Sequence, residues 1–209
     1  MDEPLSNLDA QLRAEMRHEI RTLQQKLGIT MVYVTHDQSE AMSMADQVIL
    51  MREGRVEQAA APDHLYARPA TAFAARFIGT PPMNILTLSP GDDGTVIAGS
   101  QARILSQPVE GLLLGLRPED VTLGGEGIAA RVLNAEYLGA DTVLTCAVGS
   151  QALTTRISGK ATSAPDAAVR LAWRPENLHF FDAASGHRRD DVAAFAATDP
   201  GGSTQKRLA

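Results

Sequence analysis

Apolar residues recur at Leu12, Met16, Ile20, Leu23 and Leu27, at spacings of four and three, which is the period of one face of an α-helix. Asp9 precedes this stripe as an N-cap, because its carboxylate can accept from the N–H groups that a first helical turn leaves unpaired. Gly28 follows it as the residue that ends such a helix in a left-handed conformation. Arg13, Arg17, Glu19 and Arg21 fall largely off the stripe. The next run, Ile29 to Val34, is short, β-branched and continuously apolar, the pattern of a strand covered on both faces in a parallel sheet. Helix followed closely by strand is an α/β signature. A short helix is predicted over Ser39–Ala45. A hairpin follows, with Val48–Met51 and Val56–Gln58 as its strands and Gly54 at its bend. Pro62 then opens a helix over Asp63–Ala67, Pro69 breaks it, and Thr71–Ile78 is predicted as a last helix. Gly79-Thr80-Pro81-Pro82 is the predicted domain boundary.

Beyond Pro82 the period changes from 3.6 to 2. Strands are predicted near Ile85–Leu88, Val96–Ala98, Leu112–Leu116, Ala130–Tyr137, Thr142–Val148, Ala152–Ile157 and Ala168–Trp173, bounded by Gly, Pro and Asp. Short strands at this density predict a small barrel or sandwich. A weak repeat supports it: Leu116-Arg117-Pro118-Glu119-Asp120-Val121 echoes Trp173-Arg174-Pro175-Glu176-Asn177-Leu178. Each copy closes an apolar strand and precedes a short extended run (Thr122-Leu123 and His179-Phe180-Phe181), so the copies predict paired halves of one β domain. In each, Arg is expected to pair a nearby carboxylate while Pro ends a strand. The expected division is therefore residues 1–79, a β domain over 80–183, and a disordered tail over 184–209, where the apolar period is lost.

The composition, 44% apolar and 21% charged across 209 residues, is that of an ordinary globular protein. Net charge is −6 and the basic pairs Arg188-Arg189 and Lys206-Arg207 are short, so nucleic-acid binding has no electrostatic support. The one cysteine, Cys146, lies in an alternating apolar run and is expected to be a small buried hydrophobe in a reducing compartment. No stretch approaches the roughly 18 apolar residues of a spanning helix, and the first residues are acidic where a signal peptide is basic. Membrane association is expected only through a protein partner.

Candidate chemistry sits at the start. Asp2-Glu3 is followed by Ser6-Asn7-Leu8-Asp9, one helix, one apolar run, and then Thr35-His36-Asp37. Adjacent carboxylates at a strand end diverge and can divide two tasks of phosphoryl transfer, holding the metal and activating water. A histidine just past a buried strand lies where open α/β sheets place ligands. His18, His64, His179 and His187 have no such context.

In this order the residues resemble the second half of an ATP-binding-cassette (ABC) nucleotide-binding domain, with Asp-Glu ending the Walker B strand, Ser-x-Leu-Asp as D-loop and the histidine as switch. The resemblance implies that Asp2 contacts the magnesium ion through water, that Glu3 is the general base, and that His36 bonds the γ-phosphate. It further implies that Ser6 and Asp9 belong to a nucleotide-facing loop that crosses to a second subunit. Phe77-Ile78-Gly79-Thr80-Pro81-Pro82-Met83-Asn84-Ile85-Leu86 looks like the junction between cassette and regulatory domain in sugar importers of the maltose and glycerol-3-phosphate type. Tyr137-Leu138-Gly139-Ala140-Asp141 and Leu178-His179-Phe180-Phe181-Asp182 lean toward the latter. The implied fold is α/β, a partial P-loop NTPase-like cassette half, followed by an all-β OB-like regulatory domain of TOBE type. The implied cofactors are ATP and Mg²⁺. The implied partners are permease subunits at the cytoplasmic face of the membrane, a second copy in a homodimer, and a regulatory protein or small effector at the β domain. The sequence contains no G-x-x-x-x-G-K-[ST] loop to cradle phosphates, and no Leu-Ser-Gly-Gly-Gln signature. It is therefore expected to start at the end of Walker B and to be inactive alone, with an apolar edge prone to self-association.

Overall fold

A computed structural model describes residues 1–161 and 164–192. The chain divides into two compact units, Met1–Ala70 and the residues from Thr71 onward, a break that falls ahead of the expected Gly79–Pro82 boundary. In the first unit α1 covers Ala10–Leu27, and it starts and stops as its sequence dictates. Asp9 Oδ1 accepts from Leu12 N at 2.9 Å, and Gly28 closes the helix at φ 62°. The expected apolar stripe does not produce a buried face: α1 has no buried residue, and Leu12, Leu23 and Leu27 are all exposed.

The run Ile29–Val34 corrects a second expectation. It is extended, but its only parallel neighbour among the described residues is the segment Met1–Glu3, joined through the single bridge Asp2–Val34. The bonds are Glu3 N to Val34 O and Val34 N to Met1 O, both 2.9 Å. With no further strand beside it, Val32 is 75% exposed and Ile29 and Val34 are 51% exposed. A strand becomes doubly buried only when both its edges and both its faces are covered.

Next come α2 (Gln38–Met44) and the hairpin of β1 (Val48–Arg52) with β2 (Arg55–Ala60). Glu53 and Gly54 both take positive φ, 51° and 76°, so the bend is a type I′ turn whose twist matches that of the strands. α3 (Pro62–Ala67) begins at its proline.

The second unit opens with α4 (Ala72–Phe77), capped by Thr71 Oγ1 on Ala74 N at 3.1 Å. Among the described residues nine strands follow: β3 (Asn84–Gly91), β4 (Gly94–Ile97), β5 (Arg103–Leu105), β6 (Leu112–Leu116), β7 (Thr122–Tyr137), β8 (Asp141–Val148), β9 (Gln151–Ser158), β10 (Ala168–Ala172) and β11 (His179–Asp182). They form two sheets, in the orders β10-β7-β8-β9 and β11-β6-β3-β4-β5. The expected strands are present, and β5 is an addition. Leu86, Ile97, Ile104, Leu114, Ile128, Leu144, Leu153 and Leu171 fill the shared core. Cys146 lies among them as expected, its thiol pushed up by burial.

The two sheets are joined along β3 and β9 by side-chain amides. Asn84 Oδ1 accepts from Thr154 N at 2.7 Å while its Nδ2 donates to Thr154 O at 2.8 Å. Three residues along each strand, Gln151 Oε1 accepts from Thr87 N at 2.7 Å and its Nε2 donates to Thr87 O at 2.9 Å. Each carboxamide mimics a peptide group, so the ladder continues where the backbones are too far apart to pair.

The Arg-Pro-Glu repeat forms two equivalent 3₁₀ turns, Pro118–Asp120 and Pro175–Asn177. The strand before the first turn, β6, pairs with the strand after the second, β11; the strand before the second, β10, pairs with the start of β7 after the first. The turns meet at matching positions, where Asn177 Nδ2 donates to Asp120 Oδ1 at 2.6 Å. Here the halves are paired as expected. The arginines differ: Arg174 is exposed, whereas buried Arg117 donates to the carbonyls of Ala75 and Ile78 at the end of α4. There it satisfies carbonyls that have no helical partner, and its charge also reaches the Asp120 carboxylate. This bond helps to place α4 in the β unit.

Residues Ala184–Val192, expected to begin a disordered tail, fold back along β11. Asp182 N donates to His187 O and Arg189 N to Phe180 O, both at 2.8 Å. The remainder of the expected tail, 193–209, lies outside the described residues.

Two substitutions test this architecture. Asn84→Ala removes both bonds to Thr154 and leaves the part-buried N–H and C=O of that residue without the amide, so urea unfolding should show a loss of about 1–3 kcal/mol. Gly115→Ala would set a Cβ 2.7 Å from Phe181 Cε2 and 2.8 Å from Met83 Sδ. Overpacking of that kind should cost about 1–3 kcal/mol in the same measurement.

Candidate functional site

The extended segments Met1–Glu3 and Val32–Val34 run parallel, so the residues after each emerge at the same end. That alignment brings Glu3 and His36 together: His36 Nδ1 lies 2.8 Å from Glu3 Oε1. Glu3 takes a left-handed φ of 41°, an uncommon conformation for a residue with a side chain. Ser6 stabilises this bend by donating from Oγ to Glu3 O at 3.0 Å. The hydrogen bond to the Glu3 carboxylate, that carboxylate's charge, and the more distant charges of Asp37 and Glu40 raise the imidazole above its ordinary value of 6.5, against a small burial cost. His36 and Glu3 are 72% and 45% exposed, so solvent screens the pair.

Thr35 and Asp37 lock the loop that carries the histidine. Asp37 N donates to Thr35 Oγ1 at 3.0 Å, and Asp37 Oδ1 caps α2 by accepting from Ser39 N at 2.7 Å. Burial works against the Asp37 carboxylate, yet the bonds from Ser39 and Glu40 hold it below its usual range. Glu40 is 3% exposed and turns back under the loop, accepting from Thr35 Oγ1 at 2.7 Å and Tyr33 Oη at 3.0 Å. Burial and that carboxylate push the Tyr33 phenol up to about 12. Arg13, on the first turn of α1, reaches across to Asp37 at 3.5 Å.

Of the residues singled out from the sequence, the structure gathers Glu3, Ser6 and His36 around one small cavity of about 30 Å³, which Arg13, Thr35, Asp37 and Glu40 also line. Asp9 is committed to its helix cap. Asp2 contributes its backbone to the bridge with Val34, and its side chain is exposed. Arg13, Tyr33 and Glu40 were not singled out. For Glu40 a signal existed: Asp37 and Glu40 have the D-x-x-E spacing of a capping box, although the glutamate here serves Thr35 and Tyr33.

The cavity has room for a water molecule and none for a nucleoside triphosphate, whose pockets run to several hundred Å³. Among the described residues no group of three or more His, Cys, Asp or Glu could hold a metal ion, and Asp2 stands as a single exposed carboxylate. The residues of this chain therefore do not by themselves fit ATP with Mg²⁺, and no step is derived through either. What the site can do alone is hold a carboxylate and an imidazole in contact beside one water-sized space.

Residues 114–181 match the TOBE domain family, a span running from β6 to β11. The chain is 46% identical over 193 residues to an sn-glycerol-3-phosphate import ATP-binding protein of Rhizobium meliloti, covering 88% of this chain and 54% of that protein. It is 40% identical over 207 residues to the protein of the same name from Chromobacterium violaceum, covering 94% and 56% respectively. An uncharacterised ABC transporter ATP-binding protein of Sinorhizobium fredii is 42% identical over 197 residues, covering 90% and 53%. The chain thus spans about half the length of the curated relatives it matches. With a TOBE match over residues 114–181 and relatives along nearly its whole length, the chain is similar to about half of an ABC-transporter ATP-binding subunit of the importer type.

Proposed function

We propose that this chain is part of the ATP-binding subunit of an importer for a sugar or sn-glycerol 3-phosphate. In that reading Met1–Ala70 is the second half of the α/β nucleotide-binding domain and the TOBE-bearing unit is its regulatory part. ATP and Mg²⁺ are the cofactors of the whole subunit. It forms a homodimer and energises permease subunits, seated peripherally on the cytoplasmic face of the membrane. No helix among the described residues is long and apolar enough to cross a membrane, which suits attachment through partners. The observation that carries the reading is the contact of Glu3 with His36, held by two parallel segments at one end. Glu3 is the general base of the intact site, His36 the switch that keeps it aimed, and Ser6 and Asp9 the turn that reports a facing subunit.

The exposed apolar residues Val32, Val34 and Ile29 support the same reading. They are the surface that further parallel strands would cover. The β unit has a core of its own, which suits a regulatory module able to receive an effector or a protein without help from the nucleotide site.

The pH dependence of the pair has a definite sign. His36 is raised in the folded chain, so its contribution is fully present below the ordinary histidine value and is lost as pH rises through the raised one. Glu3→Gln removes the largest cause, and the His36 midpoint in a ¹H NMR titration should fall toward 6.5; an unchanged midpoint would refute the pairing. The chain as it stands should not turn over ATP, because no phosphate cradle is present and a general base contributes only about 10²–10⁴-fold to an already positioned substrate. Phosphate release that Glu3→Gln abolishes would overturn that expectation, whereas release that survives it would come from a contaminant.

A further inference from the structure

Arg13 occupies a position that neither helix formation nor surface solvation explains. Its Nη2 donates to Leu8 O at 2.9 Å, in the turn between Ser6 and Asp9. Its Nη1 lies 3.5 Å from Asp37 Oδ2, beside the switch histidine. Its Nε is buried with no hydrogen-bond partner and lies 4.0 Å from Glu40 Oε1. A buried donor left unpaired is costly, and here the missing acceptor is an ångström beyond bonding distance. Only a guanidinium carries enough rigidly spaced donors to reach all three acceptors at once.

We propose that Arg13 is a positioning residue that ties the Ser6–Asp9 turn to the His36 loop, closing its free Nε onto Glu40 when the turn moves. This rests on the reading of Glu3 and His36 as a catalytic pair. The chain of contacts is continuous. Leu8 O holds one side of the guanidinium and Asp37 the other, Glu40 stands 4.0 Å from Nε, and Glu40 in turn holds Thr35, the residue before His36. A displacement of the turn therefore pulls on the loop through one side chain. Leu8 O is the lever and the imidazole is the load. The charged groups around His36 are Glu3, Asp37 and Glu40, while Arg13 and Arg17 stand against Asp37. Loss of Arg13 thus changes both the mechanical link and the local charge, and the test has to separate them.

Asp9→Glu keeps the charge but lengthens the side chain that caps Leu12, so it shifts the turn without altering the electrostatics. In the full chain, this substitution should displace the His36 Cε1–H resonance and its titration midpoint. In the Arg13→Gln background the displacement should vanish, and in Arg21→Gln, which breaks the separate Arg21–Asp46 pair on the same helix, it should persist. If Arg13→Gln does not fold, Arg13→Lys replaces it. Lysine keeps the charge but cannot span Leu8 O and both carboxylates, so transmission should again be lost. The same displacement with and without Arg13, or none in the parent, overturns the proposal. Glu3→Gln keeps the two questions apart. If it leaves the His36 midpoint unmoved while Asp9→Glu is still transmitted through Arg13, the catalytic-pair reading fails and the coupling stands.

Discussion

The β unit depends on the seam between β3 and β9, where two carboxamides replace backbone pairing. Strands in separate sheets leave their edge N–H and C=O groups unsatisfied, and burying such groups costs more than their bonds return when made. Asn84 and Gln151 remove that conflict by each offering a donor and an acceptor to the C=O and N–H of a single residue. Once the seam is closed, the alternating side chains of β8 and β9 face a dry interior with those of β3, β4 and β6. The core residues follow from that enclosure.

The pseudo-symmetric exchange of strands around the two Arg-Pro-Glu turns works with the seam. Each turn hands its following strand to the sheet of the other copy, so neither half can form its sheet alone. Asn177 and Asp120 pin the crossing point. Arg117 uses the same scaffold for another purpose, capping the carbonyl end of α4 and drawing that helix into the β unit. Two copies of one sequence motif thus take different roles because only one of them is buried.

The first unit contrasts with this closure. Asp9 and Asp37 cap α1 and α2, and the Glu3, Asp37 and Glu40 carboxylates and the His36 imidazole are ordered by hydrogen bonds, yet Val32, Ile29 and much of α1 remain open to solvent. Local chemistry is sufficient to hold Glu3 against His36, because it needs only two short parallel segments and a serine on the bend. It is not sufficient to build a phosphate pocket. A pocket of that size requires walls contributed by several elements, and the space at Glu3 and His36 admits no more than a water molecule.

Much of this was legible from the chain itself. Asp9 and Gly28 bounded α1, Glu53-Gly54 bent the hairpin, Pro62 opened α3, and the period of two marked the strands of the β domain, since caps, turns and alternation are decided by neighbours in sequence. Of the candidate site residues, Glu3, Ser6 and His36 come together around one small cavity, while Asp2 and Asp9 do not line it. Burial was another matter. The apolar run at Ile29–Val34 read as a doubly covered strand, but coverage is a property of what lies alongside, which no local pattern reports. The seam amides, the partners of Arg117, and the reach of Arg13 to Leu8, Asp37 and Glu40 were equally beyond the sequence. Each joins residues far apart in the chain, and a polar side chain on a predicted surface looks the same until tertiary packing decides which acceptor it meets.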